Sequence, residues 1–394
     1  MIAASLASTR GLLLVTAGLS APRAPSATCS QDAPWPSFRR FNEGAWKGYA
    51  VIVDPATAVP RLPGIQYEHF VSADDPEKLA MRTYTTRDGD AEKVTEDFNL
   101  DGTGLDIDLD GSYSTEHADG LGLASLLLER DDESSASCLV VEHSLAVSDE
   151  ERRRSLLVYG DGELEAVILL AECKGGAPEP AAHSTLFSLV GAWSGDSCVR
   201  SAGAATQAFT QSSGGKNPFG FGGANKGGKE AKGGASPAIL ATRRTNVFKA
   251  ALTYAWDGAA TVMRQLQVTS FGNEALDAIR TSGTLQTVGG DFGEYESVAF
   301  SGDPLEPTLL LLPAGCHLIA PRKLPAASAP TTYSTEFGAM LEAGESFGWR
   351  GFTGGEEGAA SQEQDEDSAR LVRIQRLYSG GAFVSGTTSL LTAQ

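Results

Sequence analysis

One pentapeptide occurs twice in this chain. FNEGAWKGYAV begins at Phe41 and FSLVGAWSGDSCV at Phe187, so Gly-Ala-Trp-x-Gly stands at 44–48 and again at 191–195. The correspondence continues downstream. Glu142 answers to Glu336, Arg154 to Arg373, and Tyr159-x-x-Gly162 to Tyr378-x-x-Gly381, with an Arg-to-Tyr spacing of five in both halves. The Glu-to-Arg spacing is 12 in the first half and 37 in the second, and most of the excess is an acidic run, GGEEGAASQEQDEDS at 354–368. Such a run stays solvated. A Gly/Lys-rich stretch at 212–237 likewise has too little apolar surface to pack a core. With both set aside, the chain is a tandem repeat, and whatever one half folds into, the other should too.

Within each half the recurring unit is a short alternating run ended by a tight turn. Asp88-Gly89, Gly160-Asp161-Gly162 and Ser379-Gly380-Gly381 each separate two extended stretches. No segment sustains a 3.6-residue apolar stripe. Asp75-Pro76 could open one helical turn, and 271–283 could hold another. The chain reads as all-β. A closed antiparallel barrel brings the first strand of a unit against its last. Trp46 or Trp193 can then plug one end while a late-strand Arg lies across the ring. Each half therefore predicts a barrel of about eight strands.

The chain has 394 residues and a formal net charge of −19, which argues against nucleic acid and anionic membrane as partners. No apolar run reaches the roughly 18 residues expected of a spanning helix. Residues 1–31 contain Arg10 and Arg23 but no acid, and an apolar run at 11–21 is followed by a Ser/Ala/Pro-rich stretch. This reads as a bipartite leader to a plastid, with plain secretion as the alternative. The expected organisation is a leader at 1–31, a first barrel at 32–176 and a second at 183–394. Cys29 leaves with the leader, and Cys138, Cys173, Cys198 and Cys316 read as small buried thiols without a C-x-x-C pair.

Gly44-Ala45-Trp46 and Gly191-Ala192-Trp193 resemble the G-x-W of the lipocalin (calycin) superfamily. LLLLPAGCHLIAPRKL at 309–324, YSTEFGAML at 333–341, RLVRIQRLYSGGAFVSGTTSLL at 370–391 and AWDGAATVMRQLQV at 255–268 resemble one branch of it. That branch is a two-barrel family of cyanobacteria and plastids catalogued as a domain of unknown function. It is related in fold to the S-type and T-type phycobilin lyases, which present an open-chain tetrapyrrole to an apoprotein cysteine. The resemblance spans roughly 38–391. It implies tandem lipocalin-like barrels holding a hydrophobic ligand. One departure stands out: the acid closing the last strand is Glu172 in the first half, whereas the second half ends SLLTAQ without a carboxylate there.

Several motifs lead nowhere. GANKGGK at 223–229 matches the start of a P-loop, but Glu230 stands where Ser or Thr should hold magnesium. DIDLDG at 106–111 matches half a calcium loop, yet its twelfth position is His117; Asp106, Asp108 and Asp110 are expected on a solvated strand and turn. The five histidines lack metal-ligand spacing, so no metal is expected, and no nucleophile elbow marks a catalytic residue. No cofactor is implied.

The candidate ligand-binding residues are Arg373, Glu336, Arg322 and Tyr378 in the second half and Arg154, Glu142 and Tyr159 in the first, with Trp46 and Trp193 closing the barrels. An inward Arg needs a carboxylate partner or an anionic ligand. Along 370–378, Arg373 lies on one face and Arg370 and Arg376 on the other, so only one set points inward. The spacing shared with Arg154 favours Arg373. The expected function is binding of a hydrophobic carboxylated small molecule: a bilin or other tetrapyrrole, or a fatty acid, with a role in pigment assembly. One alternative is a bilin lyase-like enzyme, which would need a pigment apoprotein as partner. The other is a scaffold whose barrels are filled with side chains.

Overall fold

Alternating apolar and polar residues become antiparallel strands throughout the computed structural model of the chain. It describes residues 35–61, 64–75, 80–87, 90–99, 106–108, 110–117, 124, 127–128, 138–176, 178, 183–201, 244–269, 275–290, 293–301, 305–326, 329, 331–341 and 368–394. The leader, the Gly/Lys-rich stretch, the P-loop-like heptapeptide and nearly all of the acidic run lie outside the described residues.

A helix, α1 (Trp35–Asn42), precedes nine strands: β1 (Gly44–Val53), β2 (Ile65–Asp75), β3 (Ala80–Arg87), β4 (Asp90–Asn99), β5 (Asp106–Ile107), β6 (Tyr113–His117), β7 (Cys138–Ala146), β8 (Glu151–Gly160) and β9 (Glu163–Cys173). They form one sheet in the order β4-β3-β2-β1-β9-β8-β7-β6-β5, with the first strand of the unit paired to its last. Among the described residues no ladder joins β4 to β5.

A single helical turn, α2 (Leu186–Leu189), leads into the second half. Its strands are β10 (Gly191–Ser201), β11 (Arg244–Trp256), β12 (Thr261–Thr269), β13 (Ala275–Gly290), β14 (Gly293–Ser301), β15 (Thr308–Leu311), β16 (Cys316–Ala320), β17 (Thr332–Leu341), β18 (Arg370–Ser379) and β19 (Ala382–Ala393). These ten close into an antiparallel barrel. The count exceeds the expected eight. The helical turn expected at 271–283 is also corrected: from Ala275 onward this segment is β13, held by ladders to β12 and β14 that outweigh a weak local helical tendency.

Two expected hairpins are built as read. Gly160 faces Glu163 across Asp161 (φ 49°) and Gly162 (φ 82°), and Ser379 faces Ala382 across Gly380 (φ 56°) and Gly381 (φ 75°). Two consecutive positive φ values match the right-handed twist of the flanking strands.

The repeated pentapeptide now has a physical reading. Gly44 and Gly191 sit at φ 122° and 142°, a region closed to other residues, where each chain turns from its helix into the first strand. The indole N–H of Trp46 then donates to the carbonyl of Asn42 at 2.9 Å, and that of Trp193 to the carbonyl of Leu189 at 3.0 Å. Both tryptophans are thereby locked to the preceding helix, four residues back. The last glycine permits close approach. A Cβ on Gly195 would lie 2.0 Å from the Leu390 carbonyl, and one on Gly48 2.4 Å from the Tyr67 ring.

Three apolar clusters organise the molecule. One lies on the inner face of the first sheet, with Ala50, Ile52, Leu156 and Leu170. Another lies inside the second barrel, with Trp193, Leu252, Leu371 and Leu391. The third joins the halves: Val51, Val141, Leu157 and Leu169 meet Leu310, Leu318, Phe337 and Ile374. Polar contacts reinforce that junction. His143 Nε2 lies 3.0 Å from Thr335 Oγ1, and Arg376 donates to the Ser114 carbonyl at 2.9 Å.

Asp106, Asp108 and Asp110 do not lie on a solvated face. All three are buried, because Arg200 of β10 crosses from the other half to meet Asp106 at 2.9 Å and Asp108 at 2.7 Å. Asp110 instead accepts the backbone N–H and hydroxyl of Ser112. Among the described residues no disulfide joins Cys138, Cys173, Cys198 and Cys316; Cys198 and Cys316 are buried, the other two half-buried.

Candidate functional site

Strand parity separates the arginines as the repeat suggested. Arg373 faces Gly338 across the β17–β18 ladder and points into the second barrel, where Leu371 of the same parity joins the interior cluster. Val372 and Ile374 face the first half, and Arg376 reaches Ser114 there. In the first half Arg154 faces Ser144, which places Glu142 relative to Arg154 as Glu336 stands relative to Arg373.

Inside the second barrel, Arg373 Nη2 and Arg264 Nη2 both donate to the same oxygen of Glu336, Oε2, each at 2.7 Å. Arg264 also donates Nε–H to the Tyr254 hydroxyl at 3.2 Å. Glu336 Oε1 and Arg373 Nε have no hydrogen-bond partner among the described residues. His317 stands 3.8 Å from Oε1, beyond hydrogen-bonding distance, and neither ring nitrogen is partnered. Its ring lies against Gly338, where a Cβ would fall 2.1 Å from Cε1. Burial would raise the Glu336 pKa, but the two guanidiniums overcome it and hold the carboxyl far below the usual range. Burial lowers the pKa of Arg373; Glu336 opposes the shift and Arg264 adds to it. Burial also lowers that of His317, keeping the ring neutral at physiological pH.

The first half carries a denser cluster. Arg152 donates to Glu172 Oε2 at 2.6 Å, and Arg154 bridges Glu142 (2.7 Å) and Glu172 (3.2 Å). Tyr113 donates to Glu142 at 2.5 Å. His69 Nδ1 accepts from Arg152 at 2.8 Å and lies 3.1 Å from Arg154. Burial, with the arginines beside it, lowers the His69 pKa to about 4, so the ring is neutral. Burial pushes Glu172 up, but Arg152 and Arg154 pull it well below its ordinary value.

The guanidinium over Trp46 belongs to Arg152, at 4.1 Å from the ring centroid, rather than to Arg154. The ladders show why the second half differs. Gly48 faces Glu172 and Gly195 faces Leu391; Trp46 faces His69 and Trp193 faces Leu252. Leu371 precedes Arg373 by two, as Arg152 precedes Arg154. The Arg152–Glu172–His69 set is thus replaced by Leu371, Leu391 and Leu252, and Trp193 packs on leucine instead of a cation.

Three sequence-selected residues lie elsewhere. The Arg322 side chain is exposed, and its carbonyl accepts from Leu164 N–H of the other half. Tyr159 donates to the Pro321 carbonyl at 3.1 Å, and Tyr378 accepts from Arg376 at 2.9 Å while stacking on Tyr333. Tyr159 thus bonds across the junction between halves, and Tyr378 supports Arg376, which crosses it. Arg264, Tyr254 and His317 were not singled out by sequence, since their link to Glu336 spans the barrel. Among the described residues, no group of three or more His, Cys, Asp or Glu side chains is placed to hold a metal.

The whole arrangement can be set beside known structures. A protein of unknown function of the DUF3598 family from Nostoc punctiforme PCC 73102 superposes with a TM-score of 0.57 at 18% identity, covering 92% of this chain and 99% of that one. The two share a fold. The similarity runs through both halves, so the paired arrangement is not peculiar to this chain. Kievitone hydratase from Nectria haematococca aligns over 91% of each chain with a TM-score of only 0.15, too low to carry an argument. No family model and no curated protein matches the chain.

Proposed function

We propose that the second barrel binds a hydrophobic carboxylated small molecule and that the chain is a lipocalin-like (calycin) binding protein of plastids, serving pigment assembly. The observation that carries the reading is the sharing of one Glu336 oxygen by Arg264 and Arg373 inside a closed, leucine-lined barrel, with Arg373 Nε left over. Two guanidiniums that share one carboxylate keep donors and net positive charge suited to a second carboxylate. The first-half cluster favours a structural role there, since its two arginines are matched by Glu142 and Glu172. The acid-free stretch at 1–31 supports the plastid address.

Native protein should yield, on solvent extraction and mass spectrometry, a carboxylated hydrophobic compound, and its N-terminus should lie beyond residue 31. Arg373→Ala should weaken binding of such a compound by about 1.5–3 kcal/mol, the usual size of a charge-assisted contact. Arg376→Ala, at the junction, should leave affinity unchanged. If neither extraction nor titration finds a ligand, the barrel is a filled scaffold.

A further inference from the structure

The charge count in the two halves differs, and the difference bears on what the second barrel can accept. In the first half Arg152 and Arg154 stand against Glu142 and Glu172, with His69 neutral, so the cluster is balanced. In the second, Arg264 and Arg373 stand against Glu336 alone. Glu336 acts on both guanidiniums and they on it, Arg264 acts on Arg373, and the neutral His317 and Tyr254 stand beside them. All are buried. The buried Arg264–Glu336–Arg373 cluster therefore holds one uncompensated positive charge; Glu296, half-buried on the same face of β14 as Val298, accepts instead from the Leu186 N–H. Leaving such a charge unpaired in an apolar interior costs several kcal/mol by the usual reckoning. The substitution pattern produced this surplus: the position of Glu172 is taken by Leu391 and that of Arg152 by Leu371, while Arg264 adds a cation from β12.

Resting on the carboxylate binding proposed above and not on the pigment role, we infer that the second barrel's ligand is an apolar monocarboxylate, whose single negative charge is the missing partner of Arg264 and Arg373. One carboxylate brings the site to neutrality. A second would bury a new unpaired charge, because no third interior cation exists among the described residues to meet it. The unpartnered Arg373 Nε–H offers one hydrogen bond, and the neutral His317 ring has one N–H to give to the ligand's other oxygen. Leu252, Leu371 and Leu391, all fully buried, favour an apolar remainder.

The test uses the full-length chain and a fluorescent polyene fatty acid, with its methyl ester and the α,ω-dicarboxylic acid of equal length as competitors. Biliverdin, with two propionates, is a further arm. The monoacid should bind at 1:1, at least tenfold tighter than the ester and tighter than either dicarboxylate. Arg373→Met and Arg264→Met should each weaken the acid by tenfold or more while leaving the ester unchanged, a selectivity that a merely structural role would not produce. Should either variant fail to fold, the comparison of ligands on the wild type decides alone. Equal affinity for acid and ester, or tighter binding of a dicarboxylate, would overturn the monoanion inference and leave a hydrophobic binding protein standing. No binding by any of the four would remove both.

Discussion

Arg154 and Arg373 occupy the same place in the repeat, yet their neighbours give them different work. Arg154 is enclosed by two carboxylates, whereas Arg373 shares one carboxylate oxygen with a second guanidinium. The equivalent leucines of the second half suggest how the first-half ions can be weighed. Replacing Glu172 alone with Leu strands Arg152 in the interior and should cost about 3–5 kcal/mol. Replacing His69, Arg152 and Glu172 together with Leu copies the packing of Leu252, Leu371 and Leu391, and should recover most of that loss, since buried ion sets exchanged for well-packed apolar groups are often neutral. Thermal melts of the two variants check it; a triple variant less stable than Glu172→Leu would refute the equivalence. Legibility at this scale followed the repeat. Glu142, Glu336, Arg154 and Arg373 could be found because each has a counterpart at matched spacing. Arg152, His69 and Arg264 could not, because each has a different residue type at the matching place.

At the level of strands, alternation and turn chemistry carried most of the information. It showed which residues share a face but not what lies beyond that face. Asp106, Asp108 and Asp110 share a parity suited to water, and the structure supplies Arg200 instead. The strand count was hidden for a related reason: β15 and β16 have only four and five residues, too short to announce themselves by alternation. The β10–β11 ladder makes a prediction of its own. Ser201 and Arg244 are ladder partners, so the ends that the 202–243 segment connects already stand side by side. Deleting 212–237 should leave the melting temperature nearly unchanged, since loop length enters stability only logarithmically. A large loss measured by calorimetry would mean that this segment packs on the barrel.

Over the whole molecule, the apolar cluster shared by both halves makes them one cooperative unit, with His143 placed at the seam against Thr335. Burial, then nearby Arg376, lowers the His143 pKa to about 3. The unfolded ring titrates near 6.5, so its contribution is complete above that pH. As pH falls below 6.5, stability drops by about 1.4 kcal/mol per unit until the folded pKa is reached. Asp110, raised to about 7 by burial and then by Asp108, works in the opposite direction, so the quantity to read is the difference between variant and wild type. His143→Gln should flatten the fall of melting temperature between pH 6.5 and 5, in a single transition. An unchanged slope would show that this ring takes up its proton without leaving the fold.

The seam also brings counterparts together. β7 of the first half packs against β17 and β18 of the second, and β7 and β17 hold the same place in the repeat. Tyr159 bonds across that seam, and its counterpart Tyr378 holds Arg376, which also crosses it. Two identical subunits joined in this way would have to carry the same interior. Covalent fusion lifts that obligation: one copy can keep its ions matched and hold the pair together, while the other is released to carry an unbalanced charge, and with it the ligand chemistry proposed above.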